Sequence, residues 1–424
     1  MTRPSYHAGP EFAAAMDARD SLSRFRDRFH TPRTKNGAEC IYLCGHSLGL
    51  QPKTARSYIE QELRDWAELG VEGHFHAKAP WMPYHRLLTE QTAEMVGAQP
   101  LEVVVMNSLT VNLHLMMASF YRPTAQRHKI LIERAAFPSD QYAVKSQIRL
   151  HGFDPAKSLV EAKPRDGESC LRDEDIESLI EREGSSIALI LLGGVNYATG
   201  QVFDMEGIVK AGHRRGCVVG FDLAHAAGNI PLRLHDWGPD FAAWCSYKYV
   251  NGGPGCVAGC FVHERYARAF DLPRFSGWWG HDEKTRFQMG PDFHPMPGAE
   301  GWQLSNPPIL ALAALRASME IFVEAGMENL RAKSELLTGY LEFLLDQQKA
   351  QTFSIITPRE PARRGAQLSI RLPNHGRDVC DRLAAEAVIG DWREPDTYRV
   401  APVPLYNSYV DVYRFVERFV GVVS

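Results

Sequence analysis

The sequence predicts an α/β protein, with a mainly parallel sheet covered on both faces by helices and a smaller α+β domain behind it. Three observations predict this. Short apolar runs at 103–105, 130–132, 187–192, 218–221 and 241–244 alternate with helical intervals. Strands that are apolar along their whole length are buried on both faces, the signature of a parallel sheet. After residue 309 two strongly periodic helices precede shorter strand-like runs, which marks a second unit. Polar or glycine-rich residues follow each apolar run, and open α/β sheets bind their ligands at those carboxyl ends.

At 424 residues the chain divides into two or three domains by the usual length prior. Apolar content of 45%, charged content of 23% and a net charge of −4 describe an ordinary globular protein with no basic face for nucleic acid. The start, Met1-Thr2-Arg3-Pro4-Ser5-Tyr6-His7, lacks the basic-then-apolar order of a secretion signal. No run approaches the roughly 18 apolar residues of a membrane helix. A cytoplasmic protein without membrane or nucleic-acid partners is expected. Eight cysteines are scattered; the closest pairs, Cys40/Cys44 and Cys256/Cys260, have no second pair at zinc spacing. They read as reduced, buried small hydrophobes, and no metal is expected.

Taken in order, residues 11–30 carry Phe12, Ala15, Met16, Leu22, Phe25 and Phe29 at helical spacing. A short strand at 41–43 runs into the loop Cys44-Gly45-His46-Ser47-Leu48-Gly49, where Ser47 reads first as a turn residue. A helix over 53–69 is expected to present Ile59, Leu63 and Trp66 on one side. The following Gly73-His74-Phe75-His76 has no third ligand at helical spacing, so it reads as an aromatic, polar wall.

After the first strand, Ser108 and Thr110 stand at a helix start. They read equally as a plain N-cap and as an anion site. After the second comes Phe137-Pro138-Ser139-Asp140, either a turn or a ring-stacking aromatic followed by a carboxylate. Gly193-Gly194 and Gly200 follow the third strand without dinucleotide-fingerprint spacing, which removes the main support for a nicotinamide cofactor.

The fourth and fifth strand ends supply Asp222-Leu223-Ala224-His225 and Trp244-Cys245-Ser246-Tyr247-Lys248-Tyr249. An amine in apolar surroundings loses part of its preference for the charged form and suits Schiff-base chemistry. A carboxylate on the neighbouring strand end is the partner that the ring nitrogen of a pyridoxal phosphate needs. A lone Asp or Lys is usually a surface residue; five successive strand ends with complementary groups are not so easily dismissed.

Beyond a strand at 256–262, Ser276-Gly277-Trp278-Trp279-Gly280 and Gln303-Leu304-Ser305-Asn306-Pro307-Pro308 have linker-like composition. Two adjacent tryptophans suit a pocket wall or an interface better. Helices at 309–323 and 328–347, strands at 353–356 and 367–372 and a helix at 376–387 complete the chain. Arg399 lies in a strand-like run near the end, where a guanidinium can hold a substrate carboxylate bidentately.

In combination the segments Cys44 to Lys53, Phe137-Pro138-Ser139-Asp140, Gly220 to Ala226, Trp244 to Tyr249, Ser305 to Leu310 and Arg399 to Asn407 resemble the kynureninase family. These are pyridoxal phosphate enzymes of the aspartate aminotransferase fold type (fold type I, class V). The resemblance spans most of the chain. It implies a seven-stranded-type sheet in a large domain of residues 51–308, and a small domain of 309–424 joined by 1–50. It implies that Lys248 carries the cofactor, Asp222 pairs with the ring nitrogen, Phe137 stacks on the ring, and Asp140 and His225 hold its polar edge. Leu109, Thr110, the Gly193 backbone and Tyr247 would serve the phosphate, with Tyr247 also an acid. Trp278 and Asn306 would enter from the second subunit of a homodimer. Arg399 would take the α-carboxylate of an amino acid substrate, with Ser47 on the substrate side and His74, Ser305 and Asn306 around its aryl ring. The implied reaction is hydrolytic Cβ–Cγ cleavage of L-kynurenine or 3-hydroxy-L-kynurenine to the anthranilate and L-alanine, in tryptophan catabolism or NAD precursor synthesis. His46 replaces a common asparagine of the family and Gly193 a serine of some members. Two rivals remain: a cysteine desulfurase, which has only Cys380 beyond Cys260 for a nucleophile, and a non-catalytic protein retaining the fold.

Overall fold

The computed structural model describes residues 5–134, 136–348 and 352–423; residues 1–4, which opened the stretch read above for a secretion signal, lie outside them. Seven strands form the large sheet: β1 Val103–Val105, β2 Lys129–Glu133, β3 Leu159–Ala162, β4 Ile187–Gly193, β5 Val218–Asp222, β6 Phe241–Trp244 and β7 Gly259–Val262. Their order is β1-β7-β6-β5-β4-β2-β3. Only β7 runs antiparallel to its neighbours. The alternation of side chains along each strand explains the unbroken apolar runs. Val103, Val105, Ile190 and Leu192 face one core, while Val104, Leu189 and Leu191 face another on the opposite side. Strand β3, with Glu161 and a half-buried Leu159, was not foreseen because it is the edge of the sheet and has little apolar signal.

A second sheet is built from β8 Ser354–Ile355, β9 Leu368–Arg371, β10 Asp391–Arg393 and β11 Thr397–Val400, in the order β8-β9-β11-β10. It shares a separate core with helix Tyr409–Val423 and the second half of helix Met327–Asp346. Helix Ile309–Ala325 packs instead into the larger core through Leu312, Met319 and Phe322. The amino-terminal strand Ile41–Tyr42 pairs in parallel with Val388–Ile389.

Two helical expectations are corrected. Residues 11–30 are not one helix: a helix spans Pro10–Ala18, a 3-10 turn spans Ser23–Arg28, and Phe29–His30 is a strand paired with Gln51–Pro52. The Asp20 carboxylate accepts the Leu22 N–H at 2.9 Å, a local bond that competes with continuing the helix. The break lets Phe12 and Met16 pack on the small core while Phe25 and Phe29 join the large one.

In helix Ala55–Leu69 two of the three expected apolar residues face outward, Trp66 63% exposed and Leu63 43%, and only Ile59 packs against the large core. The buried side carries Glu62 and Asp65. A buried carboxylate costs several kcal/mol unless it is hydrogen-bonded. Glu62 takes bonds from Trp81 Nε1 at 2.9 Å and Tyr84 OH at 2.7 Å, which a residue-by-residue hydropathy pattern cannot reveal. No helix among the described residues is long and apolar enough to cross a membrane.

Candidate active site

The carboxyl ends of β1, β2, β4, β5 and β6 open into one cavity. It is lined by Ser108, Leu109, Thr110, Phe137, Asp140, Gly193, Asp222, His225, Tyr247 and Lys248, together with Glu133, Ser139, Val195, Tyr197 and Ala224. Leu109, Thr110, Phe137, Asp140, Gly193, Asp222, His225, Tyr247 and Lys248, gathered from five separated motifs, thus face one space.

The β1 side is a turn into helix Leu109–Phe120. Asn107 takes φ +52°, the left-handed region that asparagine tolerates, and its amide donates to Asn112 Oδ1 at 3.0 Å. Ser108 occupies the N-cap position, yet its side chain makes no cap bond. Ser108, Leu109 and Thr110 all line the cavity, so this helix starts at its wall. Thr110 Oγ1 and Ser139 Oγ, from two different helix starts, lie 2.9 Å apart.

Across the cavity stand three acids. Asp222 is 8% exposed and accepts the Ala224 N–H at 2.7 Å. Burial raises its proton affinity, and the Lys248 ammonium opposes that rise. Burial and the neighbouring Asp222 and Glu133 carboxylates push Asp140 well above the usual carboxylate range. Glu133, at the end of β2, was not singled out in the sequence. Burial pushes it up to about 7, against hydrogen bonds that include the Gly193 N–H at 3.3 Å. Its position also explains Gly193: a Cβ there would stand 3.1 Å from Glu133 Oε1. A serine at 193 would have to move the glutamate.

Lys248 Nζ lies 3.1 Å from His225 Nε2 and 5.8 Å from the ring centroids of both Phe137 and Tyr247. Its surroundings thus include a buried carboxylate and an imidazole as well as the aromatics. Burial and the nearby Lys248 charge hold His225 well below the usual imidazole range. Its Nδ1 is buried without a hydrogen-bond partner. Burial also pushes the Tyr247 hydroxyl far above its ordinary value, so it holds its proton. The lysine loop is pinned to the Ser47 loop by Gly49 N–H donating to Tyr247 O at 2.8 Å. A Cβ at Gly49 would come within 2.3 Å of the Lys248 carbonyl oxygen, so glycine is required there.

The remaining expected residues lie elsewhere in this chain. Arg399 and Ser47 belong to a cluster centred on Asp391. The Arg399 guanidinium and the Ser47 hydroxyl both donate to Asp391 Oδ2, Arg393 donates to it at 2.9 Å, and His46 Nε2 stands 3.6 Å away. Asp391 escaped the sequence reading because it precedes Arg399 by one hairpin; the register that pairs Asp391 with Arg399 puts both on one face. Arg399 Nη1 also donates to the Tyr197 carbonyl at 2.6 Å, and the Tyr197 ring meets Phe137 edge-on at 5.2 Å. This joins the cluster to the cavity wall.

Trp278 is 43% exposed in a separate recess with Ser276, His281, Arg286 and Phe293. Ser305 and Asn306 are exposed, and His74 is half-buried against Trp81 at 5.4 Å. None of these four residues lines the cavity around Lys248. All eight cysteines are free. Cys380 sits on helix Asp378–Ala385 against the small core, and burial pushes its thiol up to about 11.

A family model and the curated relatives point to one family, and the solved structures to its fold. A family model described as the kynureninase C-terminal domain matches residues 330–419. A kynureninase of Koribacter versatilis is 72% identical over 99% of this chain and 99% of its own length. One of Myxococcus xanthus is 61% identical, also over 99% of both chains. Among solved structures, a cysteine desulfurase of Escherichia coli superposes with a TM-score of 0.77 at 18% identity, covering 95% of this chain and 98% of that one. A cystine lyase variant carrying glycine covalently linked to its pyridoxal phosphate gives 0.73 at 17% identity, over 90% and 96%. At such identities the likeness is one of fold, and that fold is the type I fold of pyridoxal phosphate enzymes.

Proposed function

Because the chain belongs to the kynureninase family, we propose that it hydrolyses the Cβ–Cγ bond of L-kynurenine or its 3-hydroxy derivative, giving an anthranilate and L-alanine. The observation that carries this is identity of 72% along nearly the whole of a kynureninase, in a chain whose cavity sets Asp222 and His225 beside Lys248.

The cavity fits pyridoxal phosphate on grounds internal to this chain. Asp222 is a buried carboxylate with an ammonium for company, suited to a protonated ring nitrogen. His225 Nδ1 lacks a partner, and a ring hydroxyl would supply one. The helix start at Leu109 and Thr110, on the cavity wall, would receive the phosphate. Phe137, 42% exposed on the cavity wall, would cover a ring face. When bound, the cofactor withdraws electrons from the substrate's α-carbon.

The chain's own residues then have these parts. Lys248 would anchor the cofactor and carry the proton at the α-carbon. Asp222 keeps the ring nitrogen protonated. Tyr247, whose burial keeps its hydroxyl protonated, would return a proton to the alanine β-carbon. The bond balance is simple: water adds at the γ-carbonyl, the Cβ–Cγ bond breaks, and the β-carbon gains a proton. Arg399 would hold the α-carboxylate. His74, Ser305 and Asn306 would line the aryl ring, with Trp278, at the cofactor, and Asn306 entering from the second subunit of a homodimer, in the cytoplasm. The exposed Leu63, Trp66, Val71 and Phe75, all within residues 63–75, support an association surface near His74.

A cysteine desulfurase reading is not favoured, because the burial-raised thiol of Cys380 lies on a small-domain helix, away from Lys248. The test is to incubate the purified, pyridoxal phosphate-loaded protein with each kynurenine and follow the anthranilate and alanine. Both are expected to be cleaved, with the larger kcat/KM for 3-hydroxykynurenine, whose hydroxyl the polar aryl wall can bind. Failure to cleave either would refute the proposal, and a strong preference for plain kynurenine would refute the specificity.

A further inference from the structure

Three donors converge on a single oxygen, Oδ2 of Asp391: Arg399 Nη2, Arg393 Nη2 and Ser47 Oγ, with the His46 ring beside them at 3.6 Å. Each of the three segments involved brings a different constraint. The β10–β11 register sets Asp391 opposite Arg399, Arg393 lies two residues along β10 and so on the same side, and the Ser47 loop closes over them. On Arg399, Nη1 is used by the Tyr197 carbonyl and Nη2 by Asp391, while Nε is buried without a partner. Both ring nitrogens of His46 are likewise buried and unpartnered.

Arg399 and Arg393 carry two positive charges and Asp391 one negative, and His46 is neutral because burial and Arg399 hold its proton affinity down, to about 4. Arg393, 40% exposed, is screened by solvent, so the buried pair is Arg399 with Asp391 and what stays open is a hydrogen-bonding position on Arg399. The edge of a guanidinium that binds a carboxylate side-on is Nε with Nη2, and here Nε is the open position. A buried orphan donor costs stability that a matching acceptor restores.

We propose that Asp391 is a positioning residue for substrate recognition: it fixes Arg399 through Nη2 so that Nε is presented to the α-carboxylate of an amino acid, which supplies the acceptor that Nε lacks. This rests on the reading of the cavity as an amino acid site. Asp391 stays in place when the carboxylate arrives, held by Arg393 and Ser47. It touches neither substrate nor cofactor.

The experiment compares wild type with Asp391→Asn and Ser47→Ala, each loaded with pyridoxal phosphate, using calorimetric titration with L-alanine and with L-alaninamide, which lacks the carboxylate. Asp391→Asn is expected to weaken L-alanine about tenfold and to leave L-alaninamide unchanged. It should raise KM for the kynurenines by a similar factor with kcat altered less than about threefold. Ser47→Ala, which removes one of the donors, should show a smaller shift in the same direction. Equal weakening of both ligands, or unchanged binding, would overturn the assignment. So would tighter L-alanine binding, which would make Asp391 a competitor for Arg399. If Asp391→Asn is unstable, Ser47→Ala alone decides the direction. A wild type that binds L-alanine but cleaves neither kynurenine leaves this assignment intact and sinks only the proposed reaction.

Discussion

The cavity wall made by Phe137, Asp140, Asp222, His225, Tyr247 and Lys248 and the wall assigned to His74, Trp278, Ser305 and Asn306 are built in different ways. The first is assembled within one chain, because parallel strands deliver their carboxyl ends side by side and β6, β5, β4 and β2 are consecutive neighbours. The second lies on short turns and loops, with Ser305 and Asn306 exposed, Trp278 in a separate recess and His74 half-buried against Trp81. A sheet fixes what it carries through backbone register. A loop is fixed only by what covers it, and Trp278 and Asn306 are exposed in this chain.

The sharpest way to break this comparison is at its fixed side. Lys248→Ala is expected to lower kcat by about 10⁴-fold or more, since anchoring and α-proton transfer are lost together. The yellow absorbance of a lysine-bound cofactor should vanish with it, while the melting temperature of the cofactor-free protein stays within a few degrees, because Lys248 contributes little to either core. Activity within tenfold of wild type would show that the cavity is not the catalytic one.

What the sequence made legible follows the same division. Residues 187–192 and 218–221 are apolar at every position, so the sheet was plain, and chemistry could be sought where each run stopped. Lys248 and Asp222 needed only that rule. Glu133 and Asp391 did not stand out, because each acquires its meaning from a partner distant in sequence: Gly193 for one, and Arg399, Ser47 and His46 for the other. The helix Ala55–Leu69 misled for a related reason. Its buried Glu62 is satisfied by Trp81 and Tyr84, and its Trp66 and Leu63 are exposed.

A subunit-mixing experiment sharpens the comparison at its open side. Asn306→Ala alone is expected to lower kcat/KM about 10- to 100-fold, the range for losing one polar contact to a substrate. Lys248→Ala alone is nearly inactive. If residues 278 and 306 serve the partner's cavity, mixed dimers of the two variants contain one intact site. Random pairing then restores about a quarter of wild-type activity in a two-fold dimer. Activity that stays at the level of the separate variants would mean that each wall is completed within one chain.

The smallest expected effect concerns how the two walls answer to acid. Glu300 lies in the turn Ala299–Trp302, which ends next to Gln303 and the 305–306 segment. Burial raises its proton affinity, but bonds from His85 at 3.3 Å and Arg86 at 2.8 and 2.9 Å win, bringing it down to about 2. Its folded value lies below its unfolded one, so its contribution is present above about pH 4.5 and is lost as pH falls toward 2. Because the Arg86 side chain is 38% exposed, the contribution is about 1–2 kcal/mol rather than the full value of the shift. Glu133 in the cavity has the opposite sign. Burial raises it to about 7, so the folded chain binds its proton first and is relieved as pH falls from about 7 to 4.5. Thermal melting of the cofactor-free protein against pH should therefore show Glu300→Gln less stable than wild type at pH 6, with the gap narrowing below about pH 4.5 and closing only toward pH 2. Glu133→Gln should gain on wild type at pH 8 and lose that advantage by about pH 5. Parallel curves for both variants would mean that neither carboxylate is held as described, and that the two walls do not differ in what acid does to them.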